Sequence, residues 1–121
     1  MERLGGGIMD NCIFCKIING SIPSDFVYED EKVVAFKDIS PQAPVHILII
    51  PKEHIESVDD IDETNSHIIG HIFEVAAKLA NEMGLEKGYR IVNNCKEHGG
   101  QSVNHIHFHL LGGRQLLWPA G

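Results

Sequence analysis

Apolar and polar positions along the chain change period several times, and each change marks an element. Residues 12–19 carry Ile13, Phe14, Ile17 and Ile18 at helical spacing, with Asp10 or Asn11 placed to cap the start and Gly20 just past the end; they predict a short amphipathic helix. Phe26-Val27-Tyr28 and Lys32 to Phe36 are β-rich runs separated by the acidic Glu29-Asp30-Glu31, which predicts a hairpin. Asp38 to Pro44 is a loop, because its two prolines cannot donate to a ladder. Val45 to Ile50 is a nearly continuous apolar run ended by Pro51, as expected of a central strand covered on both faces, with His46 inside it. From Asp60, with Glu63 three residues on as a capping box, apolar residues recur at 61, 68, 69, 72, 73, 76, 79, 80 and 83, and Gly84 ends this longest helix. Tyr89 to Asn93 or Asn94 is a further strand, and Gly99-Gly100 turn the chain into a last one. The hairpin-like links between strands predict an α+β fold on an antiparallel sheet rather than a doubly wound parallel one.

The last strand is the most informative segment. His105-Ile106-His107-Phe108-His109 alternates strictly, so in an extended chain the three imidazoles line one face and Ile106, Phe108 and Leu110 the other. Neighbouring rings on that face stand roughly 6–7 Å apart, within reach of one phosphate-sized group. Taken from the residues alone the readings are a solvent face, metal ligation, or nucleophilic attack by a ring that is largely neutral near pH 7.

Length, charge and cysteine content narrow the partners. A chain of 121 residues is one domain, short enough to use a second copy to enclose a site. Seventeen acidic residues against ten basic ones give a net charge of −7. With no Lys/Arg cluster, this argues against DNA or long RNA. A small phosphorylated ligand stays open, because backbone N–H groups and imidazoles can hold one phosphate. No apolar run reaches the length of a membrane span, the first ten residues lack a signal-peptide core, and the three cysteines fit reduced thiols or a metal site, so a cytoplasmic protein is expected. Residues 1–9, with Gly5-Gly6-Gly7, read as a disordered extension and residues 10–121 as the domain.

Cys12-x-x-Cys15 reads as a redox dithiol, half of a zinc site, or two small buried residues; two thiolates leave a tetrahedral zinc two ligands short. Gly99-Gly100-Gln101-Ser102 allows close backbone approach to an anion or is an ordinary turn. Asp38 is a ribose-binding carboxylate or a solvated loop residue, and Asn94 a strand-end cap or a ligand contact. His54, His67, His71 and His98 share no spacing with the triad and read as surface or helix residues; Cys95 reads as a thiol without a role.

Together these residues resemble the histidine triad (HIT) family. Its signature of three histidines alternating with apolar residues is matched by His105 to Leu111. Asp38 to His46, Gly99 to Val103, Leu111-Gly112-Gly113-Arg114-Gln115 and Trp118-Pro119 extend the likeness to the Hint branch. The resemblance implies a five-stranded antiparallel sheet with one long and one short helix, and a homodimer with a joined sheet. It implies a nucleotide-binding hydrolase that cleaves the P–N bond of purine nucleoside 5′-phosphoramidates, and acyl-adenylates, through an adenylyl-histidine on His107. The alternatives are a dinucleoside polyphosphate hydrolase and a nucleotide-binding scaffold with incidental catalysis. By the same likeness His105 orients the nucleophile, Ser102 and His109 hydrogen-bond the phosphate or leaving group, and His46 is grouped with them as catalytic. Asp38 meets the ribose; Phe14, Ile18, Ile22, Phe36, Ile39 and Leu48 line the base pocket; Asn94, Gly100, Gln101 and Ser102 stand at the phosphate end with His107 and His109. The expected ligands are AMP, GMP and their phosphoramidates. The cysteine pair resembles the bacterial zinc-binding type, which implies a structural Zn²⁺ on Cys12, Cys15, His46 and His105, with no metal required for the chemistry.

Overall fold

The computed structural model describes residues 11–121. The element order is helix α1 (Ile13–Ile18), strands β1 (Phe26–Glu29), β2 (Val33–Lys37) and β3 (Val45–Pro51), helix α2 (Ser66–Glu82), then strands β4 (Tyr89–Asn93) and β5 (Phe108–Gly112). All neighbours pair antiparallel in one sheet of order β1-β2-β3-β5-β4. The fold is α+β, as the patterning predicts.

β3 sits in the middle, and its unbroken apolar run is explained by cover on both faces. Ile47 and Ile49 join Val33, Ala35, Ile106, Phe108 and Leu110 against the buried stripe of α2, which includes Ile68, Ile72, Val75 and Leu79. Leu48 and Ile50 face the other way, with Val34 and Phe36, into a second cluster closed by Cys12, Phe14, Cys15 and Ile17 of the short helix. Opposed residues share a face, so the register Phe36↔Leu48 and Leu48↔His109 carries this second layer across the sheet. One face of the sheet is therefore a hydrocarbon core, and the other holds the histidines.

Three local expectations are corrected. The cap of α1 is not Asn11, and Asp10 lies outside the described residues. The cap is Cys12, whose Sγ accepts the Cys15 N–H at 3.3 Å. The Asp60/Glu63 capping box does not open the long helix. Ser57 and Asp60 instead form a reciprocal box on a one-turn 3-10 segment, Val58–Asp60, and α2 starts six residues later. The Asn65 side chain before it reaches back to the Asp62 N–H and the Asp60 carbonyl, which closes the intervening turn. Finally, regular pairing in the last strand begins only at Phe108. Upstream of it the Ile106 N–H goes to the Ile55 carbonyl at 2.6 Å, and the Asn93 side-chain amide takes the His107 carbonyl at 2.9 Å, so partners outside the ladder fix residues 105–107. Their alternation survives: Ile106 is buried in the α2 core, while Phe14 packs edge-on against both His105 and His107.

Candidate functional site

The histidines form two groups on the α1 face. His107 is the link between them. It is 2 % exposed, and its Nδ1 lies 2.8 Å from the His105 carbonyl oxygen. A carbonyl can only accept, so Nδ1 carries the proton and Nε2 of the neutral ring presents a lone pair. Burial lowers the ring's proton affinity below that of a free imidazole, against the opposing pull of the His105 carbonyl and Asp38.

On one side of His107 lie His46, His109 and Asp38. The Gln42 backbone N–H donates to His46 Nδ1 at 3.0 Å, which leaves the proton of the neutral His46 ring on Nε2. That Nε2 stands 2.9 Å from His109 Nδ1 and 3.4 Å from Asp38 Oδ2. His109 Nδ1 therefore accepts, and its Nε2–H is the donor left to face the site. Burial, with His107 and His46 nearby, pushes the His109 pKa down to about 4. Asp38 is held in place by its own turn, with Oδ1 accepting the Ser40 N–H at 2.8 Å.

On the other side, four donor atoms converge: Cys12 Sγ, Cys15 Sγ, His54 Nδ1 and His105 Nδ1, all within 4.8 Å of one another. The S···N separations are 3.4, 3.3 and 3.6 Å, and the two ring nitrogens are 3.2 Å apart. A tetrahedral zinc with bonds of about 2.3 Å to sulfur and about 2.0–2.1 Å to nitrogen has S···N edges of about 3.6 Å and an N···N edge of about 3.3 Å. The donor set fits that ion. His105 is held in the ligating tautomer, since its Nε2–H donates to the Pro51 carbonyl at 2.8 Å and leaves Nδ1 for the cluster. Burial pushes the His105 pKa down to about 4.

The fourth corner is His54, which corrects the expectation that His46 would supply it. β3 and β5 run antiparallel, and His46 pairs with Leu111 while Ile49 pairs with Phe108. His105 must therefore lie beyond the Pro51 end of β3, and His46 sits near the other end, about 17 Å from Pro51 along the strand. Its ring also donates from the nitrogen a metal would need. The sequence did carry a signal for His54: it follows β3 by three residues, on the side where an antiparallel partner brings the start of the triad.

Phe14, Phe36 and Leu48 are buried in one cluster, with Ile18, Ile22 and Val103 packed against it. Ile39, expected in the same lining, is 101 % exposed and does not join it. Asn94 Nδ2 donates to the Gly99 carbonyl at 2.7 Å, bracing the turn from inside. Gly99 is required there, since a Cβ would stand 2.3 Å from the Cys95 carbonyl oxygen, and Gly100 adopts φ +81°. Ser102 is exposed where the turn ends.

Residues 19–116 match the HIT domain family. The chain is 54% identical over 108 residues to the purine nucleoside phosphoramidase of Escherichia coli (strain K12), covering 88% of this chain and 91% of that one. The crystal structure of a HIT family hydrolase from Legionella pneumophila Philadelphia 1 superposes with TM-score 0.90 at 54% identity, over 92% of this chain and all of that one. A histidine triad nucleotide-binding protein from Candida albicans is similar at 36% identity and TM-score 0.77, over 92% of this chain and 85% of the other. This chain belongs to the HIT domain family. Within that family it is a hydrolase. Among the described residues no helix is long and apolar enough to cross a membrane.

Proposed function

We propose that the protein hydrolyses the P–N bond of purine nucleoside 5′-phosphoramidates, and related acyl-adenylates, through an adenylyl group carried on His107. The observation that carries this is the tether of His107 Nδ1 to the His105 carbonyl inside a desolvated pocket, which leaves Nε2 unprotonated and aimed away from its anchor. Nε2 attacks phosphorus in the N-protonated phosphoramidate; the P–N bond breaks, its electron pair stays with nitrogen, and the neutral amine departs. The nucleotidyl group is left on the imidazolium of His107. Water then attacks the same phosphorus and restores the free ring, releasing the nucleoside monophosphate, with the proton of water passing to phosphate or solvent.

His109 Nε2–H and Ser102 donate to the phosphoryl oxygens, where charge builds during both transfers. Asp38 accepts from the ribose hydroxyls, and the purine lies on the cluster of Phe14, Ile18, Ile22, Phe36 and Leu48, which takes AMP and GMP frameworks alike. Cys12, Cys15, His54 and His105 would hold a Zn²⁺. When bound it supplies a structural cross-link between α1 and the start of the triad. The exposed β4 edge at Tyr89, with Phe73, Leu117 and Trp118 also exposed, supports a homodimer with a joined sheet. Residues 10–121 form the domain, preceded by a short extension, and cysteines that form no disulfide suit the cytoplasm.

Mass spectrometry of the enzyme quenched during turnover of adenosine 5′-phosphoramidate tests the reading. An adenylyl adduct on His107 is expected, and His107→Ala should abolish turnover while still binding AMP. Full activity in that variant refutes the proposal.

A further inference from the structure

The loop that follows β3 and the segment that leads into the triad run side by side, joined at successive positions. Pro51 accepts from His105, Ile55 accepts from the Ile106 N–H, and the Glu56 carbonyl accepts from Gln101 Nε2 at 2.7 Å. Lys96 Nζ reaches Asp59 Oδ2 at 2.5 Å across the same seam. Gln101 is the hub. Its Nε2 also donates to the Val103 carbonyl at 2.9 Å, its Oε1 accepts the Lys96 N–H at 2.7 Å, and its own N–H closes onto the Lys96 carbonyl at 3.0 Å.

Both amide protons of Gln101 are spent within the chain, so none is left to offer a ligand. What they add to is a turn that its own backbone bonds, Gly99 N–H to the Lys96 carbonyl and Gly100 N–H to the Glu97 carbonyl, close locally but do not fasten to the neighbouring loop. Lys96 has φ +61° without being glycine, and Gly100 has φ +81°, so two residues sit in left-handed backbone within five positions. The turn is wound around the Gln101 amide, and the same amide fastens it to the loop that carries His54. We infer that Gln101 is a positioning residue, not a nucleotide contact. It sets the Gly99–Ser102 turn at the phosphate end against the loop bearing the metal ligand, making the turn and the cysteine–histidine cluster one mechanical unit. This rests on the reading above in placing the phosphate at that turn.

The test uses the full chain as isolated, with Gln101→Glu, which keeps the acceptor for Lys96 but removes both donors, and Gln101→Met, which keeps length without polarity. Affinities for AMP and for adenosine are measured by calorimetry, and amide exchange is followed in the ligand-free protein. AMP binding should weaken tenfold or more while adenosine changes less than twofold, because the turn acts only on the phosphate. Exchange should quicken in residues 94–101 and 53–58 and stay unchanged in α2. Equal weakening of AMP and adenosine, unchanged binding of both, or exchange that rises throughout α2 in both variants overturns the inference. Weaker AMP binding with unaltered exchange overturns it too, since Gln101 would then touch the ligand. If the unsubstituted protein binds no AMP, the proposed function fails, and the exchange measurement still decides the brace.

Discussion

A ring held neutral by burial must reveal itself in the acid stability of the protein. His109 has a folded pKa of about 4 against 6.5 for the free imidazole. Its folded value lies below its unfolded value, so the unfolded chain takes up the proton first as pH falls. The stabilisation is complete above pH 6.5 and drains away between 6.5 and about 4. At pH 5 an unfolded imidazole is protonated by a ratio of about 30 to 1 and the folded one is neutral by about 10 to 1. The uncompensated uptake costs RT ln of roughly 30, about 2 kcal/mol, between pH 7.5 and pH 5.

Replacing the ring by an amide removes that contribution. His109→Gln should be compared with the unsubstituted protein by urea unfolding at both pH values, with zinc content matched; acid effects from elsewhere cancel in the difference. The unsubstituted protein should lose about 2 kcal/mol more than the variant on acidification. Equal losses would mean that the folded ring protonates like a free imidazole. The chain of donors from Gln42 through His46 to His109 would then be wrong, and with it the neutral pocket on which the proposed attack by His107 depends. The matching kinetic outcome is an acid limb of kcat/KM that falls below pH 6.5, because burial moves His107 in the same direction.

His54→Ala should weaken zinc retention against a competing chelator by about tenfold or more, while His46→Ala keeps the ion; the reverse order would return the fourth corner to His46. A different histidine titrates in the opposite sense. His71 bridges Asp30 at 2.6 Å and Glu74 at 3.2 Å, and the Asp30 carboxylate raises its pKa. Its contribution is fully present below pH 6.5 and disappears as pH rises through the raised folded value, so His71→Gln should cost up to about 1 kcal/mol at pH 6 and less at pH 9. A gap that widens with pH in chemical unfolding would contradict the pairing.

What the amino-acid order determined by itself was periodicity. The alternation of His105 to Leu110, the helical spacing of Ile68 to Leu79 and the unbroken run in β3 each bury one face at low cost in only one way, so element type, sheet class and the shared face of the triad were legible. Motif likeness added the family, and the expectation that His107 is the nucleophile. The tertiary structure decided what depends on pairing across the sheet. The antiparallel register sends His46 to His109 and brings His54 to the cysteines; spacing puts His54 just past β3, but only the direction of pairing makes it a neighbour of His105. It decided tautomers as well, since each ring's proton follows a carbonyl or N–H supplied by a distant residue: Pro51 for His105 and the His105 backbone for His107. The helix starts have a local cause instead: the Asn65 side chain closes the turn at Asp60–Asp62, and Cys12 caps α1 through the Cys15 N–H. Local sequence fixes which face a side chain takes, while the identity of its neighbour is set by chain closure over tens of residues.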